Sequence, residues 1–150
     1  MTDTERARSI LEADLALTCV LCRGETVYQS EKKGIAPMMG FLDDGIDLCG
    51  FCAVDRVVGR AAAFLFVLSG VRALYAEVLS EGALQVLEVH GIAVSYQTLT
   101  PYIINRRGDG RCPMEIAVDG INDPNAARAA IRQTMIRLAS NKENLDPNER

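Results

Sequence analysis

The side chains best suited to chemistry fall in a few short stretches of the 150-residue chain. Cys112-Pro113-Met114-Glu115 carries Pro at the first position of an expected helix and Glu at the third, a start signature in which Glu115 reaches back to the cap backbone. Cysteine at the cap is the unusual part, because Ser, Thr, Asp or Asn would accept better from the free N–H groups. Beside Arg106, Arg107 and Arg111, that thiol is a candidate nucleophile or metal ligand. Asn105 and Arg106 close the apolar run that starts at Tyr102, and they offer planar donors suited to a carboxylate or phosphate. Arg107 and Arg111 read as solvated loop residues.

Asp55 follows the apolar run Phe51 to Val54 and precedes a longer one, so it is expected where a strand becomes a helix. There it would serve as an N-cap, a site carboxylate, or both. Ser80 occupies a similar position after the next strand. His90, the one histidine, precedes Gly91 and reads as a helix C-cap rather than a base.

Cys19-x-x-Cys22 and Cys49-x-x-Cys52 match the spacing of a zinc site. The first pair lies in an apolar strand, however, where positions three apart point to opposite faces. Small buried thiols explain these residues more simply, and a structural zinc is the weaker alternative.

The elements that must position these groups follow from periodicity. Residues 4–13 form a short amphipathic helix. Leu15 to Cys22 and Thr26 to Ser30 flank Arg23-Gly24-Glu25 as a hairpin. Pro37 opens a short helix in which Met38 and Met39 are core filler, ended by Asp43-Asp44-Gly45. Gly50 to Gly70 is the centre: a buried strand feeding a helix whose Ala61 to Leu68 run is apolar on nearly every side, and which must be covered on nearly every side. Val71 to Val78 reads as a strand, Ser80 to His90 as a helix, and Ile92 to Tyr96 as a strand. A last helix spans 125–139, with Ala127, Ala130, Ile131, Met135 and Leu138 as its buried stripe. Such alternation implies parallel strands with right-handed crossovers, and functional groups at their carboxyl ends.

Composition narrows the classes. Hydrophobic residues make up 49% and charged residues 24%, which suits one globular domain over 1–139, with 140–150 expected to be a disordered tail. A net charge of −4 argues against a bulk nucleic-acid binder. The charged N-terminus and the lack of an apolar run of roughly 18 residues argue against a secretory signal or membrane span, so a cytoplasmic protein with reduced thiols is expected.

DRVVGRAAA (Asp55 to Ala63), IINR (Ile103 to Arg106) and CPMEIAV (Cys112 to Val118) resemble, in this order, the DUF1893 family of bacteria and archaea, whose fold is like that of cytidine deaminases. GIAP (Gly34 to Pro37) and YAEVLSEGALQVLE (Tyr75 to Glu88) extend the similarity. The resemblance implies a cytidine deaminase-like three-layer α/β/α sandwich with a mixed sheet led by a hairpin. A zinc deaminase bears His/Cys-Ala-Glu at the start of one core helix and Pro-Cys-x-x-Cys at the next. Those positions correspond here to Cys52-Ala53-Val54-Asp55 and to the neighbourhood of Leu79 to Ala83, which has no cysteine, so no cofactor is expected.

The family motifs single out Asp55, Asn105, Arg106, Cys112 and Glu115, with Ser80 added by position. On one hypothesis Asp55, Cys112 and Glu115 carry chemistry, while Ser80, Asn105 and Arg106 hold a small polar, nucleotide-like ligand. On the other, these residues are caps and buried partners in a non-catalytic binding or assembly module. The exposed-edge hairpin of the small sheet would also suit a homodimer.

Overall fold

The computed structural model describes residues 1–105 and 108–143, with side chains to 141. Eleven elements follow one another among them: α1 (Asp3–Ala13), β1 (Cys19–Arg23), β2 (Thr26–Ser30), α2 (Ala36–Asp43), β3 (Cys52–Val58), α3 (Arg60–Ser69), β4 (Ala73–Ser80), α4 (Glu81–Val89), β5 (Ala93–Thr100), α5 (Pro113–Ala117) and α6 (Pro124–Glu143). The strands form one sheet in the order β2-β1-β3-β4-β5. β1 runs antiparallel to both β2 and β3, whereas β3, β4 and β5 are parallel. The mixed sheet led by a hairpin therefore matches the expectation from sequence.

Helices cover both faces. Ala7 and Leu11 of α1 pack with Leu17, Val20, Cys22, Val54 and Tyr75 on one side. The other side carries the larger core, where α3 is central: Ala61 through Phe66 are all buried, six consecutive positions with no solvent face. That is the burial an apolar-all-round helix demands. Met38 and Met39 fill the core beside it, and Ala127 and Ile131 of α6 close its far side.

Several boundaries depart from expectation: β1 begins at Cys19 rather than Leu15, and β4 spans Ala73–Ser80 rather than Val71 to Val78. β3 continues through Asp55 to Val58, so Asp55 is a strand residue and the cap of α3 is Gly59. The β-branched pair Val57-Val58 keeps the chain extended where the carboxylate suggested a cap. β5 reaches Thr100 rather than stopping at Tyr96. α6 is helical to Glu143, past the expected end, and 144–150 lie outside the described residues. No helix among the described residues is long and apolar enough to cross a membrane.

Candidate functional site

The amino-terminal turns of α3 and α4 emerge side by side from the carboxyl ends of β3 and β4. Gly82 of α4 sits beside the aliphatic stem of Arg60, which a Cβ at that position would touch at an ordinary contact distance of 3.5 Å. α4 is capped locally: Ser80, 2% exposed, accepts at Oγ from the Ala83 N–H at 3.0 Å. α3 has no local side-chain cap, because its cap residue is Gly59. Its free donors are met from far along the chain. Glu115 of α5 accepts from Arg60 N–H at Oε1 (2.6 Å) and from Ala61 N–H at Oε2 (2.8 Å), and it is buried there. A carboxylate on two N–H groups at the positive end of a helix is a charge-assisted arrangement. Glu115 thus serves the start of α3, not its own cap backbone as the Cys-Pro-Met-Glu signature suggested.

Between these two helix starts and the segment from β5 to α5 lies a cleft of about 430 Å³, with Arg60, Ser80, Glu81, Tyr102, Arg111 and Glu115 on its walls. It sits at the carboxyl ends of parallel strands, where open α/β sheets hold ligands. Arg60 donates from Nη2 to Asn122 Oδ1 at 3.2 Å and to the Ile121 carbonyl, and its guanidinium lies 5.0 Å from the Phe64 ring centroid. Its Nε is buried with no hydrogen-bond partner. Arg111 leans over Tyr102, 5.1 Å from the ring centroid, and pairs with Asp119 at 3.7 Å. Sequence reasoning passed over Arg60. The available signal was a lone cation in the first turn of an otherwise apolar helix.

Of the residues singled out beforehand, Ser80 and Glu115 come together at this cleft. Cys112 is the half-buried cap of α5, with no side-chain cap bond, and is not on the cleft wall. Asn105 organises its own loop: Nδ2 donates to Asp109 Oδ1 at 2.9 Å and Oδ1 accepts from Asp109 N–H at 3.2 Å. The apolar run before it is largely solvent-facing, with Tyr102 60% and Ile104 62% exposed. Arg106 lies outside the described residues.

Asp55 is also away from the cleft wall. It lies in register with Cys19 of β1 and Ala76 of β4. Burial pushes its carboxyl up to about 7, against the backbone donors of Val57 and Arg56, the Cys19 thiol and the Arg56 charge. Burial, then the neighbouring Asp55, push the Cys19 thiol up as well. Arg56 points to the other face. It donates from Nε to the Leu17 carbonyl at 2.8 Å, from Nη2 to Leu11 at 2.9 Å and Asp14 at 3.2 Å, and from Nη1 to Glu77 at 3.1 Å.

The cysteines do not gather. Cys19 belongs to the α3-side core and Cys22 to the α1-side core, Cys52 lies opposite Cys22 in register, and Cys49 is exposed. Cys52 to Asp55 lie inside β3 rather than at a helix start, and no three His, Cys, Asp or Glu among the described residues are placed to hold a metal ion. The residues present do not fit a deaminase zinc set.

A family model described as "TM1506: Domain of unknown function (DUF1893)" matches residues 6–135. The chain belongs to the DUF1893 family. Among solved structures, this DUF1893 chain is similar to the crystal structure of a DUF1893 family protein (TM1506) from Thermotoga maritima at 2.70 Å resolution. The two share 25% identity over 91% of each chain, with a TM-score of 0.79. No curated protein matches the chain.

Proposed function

We infer that the cleft between the starts of α3 and α4 binds a small polar ligand carrying a phosphate or carboxylate, with a flat, nucleotide-like portion against Tyr102. The observation that carries this reading is Arg60: its Nε is a buried donor without a partner on a residue that lines the cleft. Buried polar atoms of that kind are rare and call for an explanation. Arg111 supplies a second cation, the Ser80 hydroxyl retains its O–H donor while its oxygen caps α4, and the first N–H groups of α4 have no intrahelical acceptor. The charge of Glu115 is already engaged at α3, so it does not repel an anion as a free carboxylate would.

Binding rather than catalysis is favoured by the surroundings of the two carboxylates, Asp55 expected as acid, base or ligand-orienting group and Glu115 expected to support Cys112. Asp55 is enclosed between strands and Glu115 is held by two backbone donors. Tyr102, Ile103 and Arg111 would then form the outer wall of the cleft. The hairpin followed by three parallel strands supports a cytidine deaminase-like fold whose usual metal position has been replaced by packing.

The test is a thermal-shift series with nucleoside mono- and diphosphates, dicarboxylates and inorganic phosphate, on the wild type, Arg60→Gln and Arg111→Gln. One class of anion should raise the wild-type Tm, with the increment lost in Arg60→Gln and reduced in Arg111→Gln. If no anion shifts the wild type, or if Arg60→Gln responds equally, the reading fails.

A further inference from the structure

Strand β5 ends the sheet with β4 as its single strand neighbour among the described residues. Its sequence, Ala93-Val94-Ser95-Tyr96-Gln97-Thr98-Leu99-Thr100, contains no charge, no Pro and no Gly over eight residues. Edge strands are usually protected by such residues, because the free row of N–H and C=O groups templates pairing. Here none of that protection is present, and six of the eight residues are exposed outright. Exposed apolar side chains occur on the strand, with Tyr96 41% and Leu99 38% exposed, and shortly before and after it in the chain, with Val89 75%, Tyr102 60% and Ile104 62% exposed.

We propose that β5 pairs antiparallel with β5 of a second copy, joining two five-stranded sheets into one across a two-fold axis. A second copy is the occupant because the strand suits itself. With the axis at Tyr96, the two Tyr96 side chains face each other, Val94 lies beside Thr98 of the other copy, and Ala93 lies beside Leu99. These are aromatic and β-branched pairings that stabilise adjacent strands, and no like charges meet although each chain carries −4. An acidic or basic partner would find no charge on the strand to recognise.

Strand pairing alone falls short of the roughly 1,200 Å² that stable interfaces bury, so the pairing must also bring the flanking segments into contact. It carries Tyr102 of each copy toward the Val89 to Gly91 turn of the other. That turn would then stand at the mouth of the cleft lined by Tyr102.

Sedimentation across micromolar to submillimolar concentrations tests the proposal, with Ser95→Lys/Gln97→Lys on β5 and Thr26→Lys/Gln29→Lys on the opposite edge strand. The wild type and the β2 variant should sediment at twice the 16.3 kDa chain mass, while the β5 variant is monomeric with an unchanged circular-dichroism spectrum. Amide exchange over 93–100 should slow as wild-type concentration rises, a readout that needs no variant. A monomeric wild type overturns the proposal, as does a dimer that survives the β5 substitutions or is lost with the β2 pair. An anion-binding cleft could survive any of these results.

Discussion

Gly59 and Glu115, far apart in the chain, share one site: a Cβ built on Gly59 would lie 2.2 Å from Glu115 Oε1. Gly59 has extended backbone (φ −99°, ψ −178°), so what demands glycine here is the carboxylate above it and not its conformation. The start of α3 is thus completed by a group that arrives only when α5 docks.

Removing that group should cost about 2 kcal/mol in Glu115→Ala, since two buried N–H groups lose a charged acceptor. Gly59→Ala should cost a similar amount by expelling the same carboxylate. Because both changes abolish one contact, their effects should be strongly non-additive in a double-mutant cycle followed by urea unfolding. Simple additivity would mean that the carboxylate does not hold α3.

Asp55 sets a pH dependence of definite sign. Its carboxyl titrates near 7 in the folded chain and near 4 when unfolded, so between those values the folded state holds the extra proton. Stability is therefore greatest at the acid end of that window and falls by up to about 1.4 kcal/mol per pH unit toward 7, levelling above it. Asp55→Asn imitates the protonated acid and should remove this slope. Tm measured from pH 4.5 to 8 should fall for the wild type relative to the variant, and parallel curves would contradict the assignment.

Thiol labelling should separate the cysteines by accessibility. Cys49 is exposed and Cys112 half-buried, while Cys19, Cys22 and Cys52 are buried. Burial also pushes the thiols of Cys19 and Cys22 up, which further slows them. Mass spectrometry after brief exposure to an alkylating reagent should find adducts on Cys49 and Cys112 alone, with the remaining three modified only in denaturant.

Arg56→Met should loosen α1. The substitution keeps an apolar stem but strips donors from the carbonyls of Leu11, Asp14 and Leu17 and from Glu77. A loss of about 2 kcal/mol or more is expected, together with faster amide exchange in α1 than in α3.

Much of this architecture is legible in local pattern. The run from Ala61 to Leu68 announces a helix enclosed by other elements, Gly24 marks the hairpin, and Ser80 marks the start of the helix it caps. Asp55 misleads because a carboxylate before a helix is a strong cap signal, while Val57 and Val58 carry the competing preference for strand. Arg60 escapes detection, and Glu115 is detected but given the wrong partner, for a different reason. Their contact spans 55 positions, and neither residue's neighbours record where the other will be. Asn105 looked internal because it closes an apolar run, yet Tyr102 and Ile104 in that run face solvent.

The two faces of the sheet are insulated very unequally. Five helices pile over the side that holds α3, whereas the single 11-residue α1 roofs Val20, Cys22, Val54 and Tyr75. A hinged movement of α1 would bare an aromatic ring and two thiols, Cys22 and Cys52, facing each other across adjacent strands, while leaving the α3 side intact. Exposure of these two thiols to oxidants would therefore follow how often one short helix lifts, and Arg56 ties that helix to the sheet.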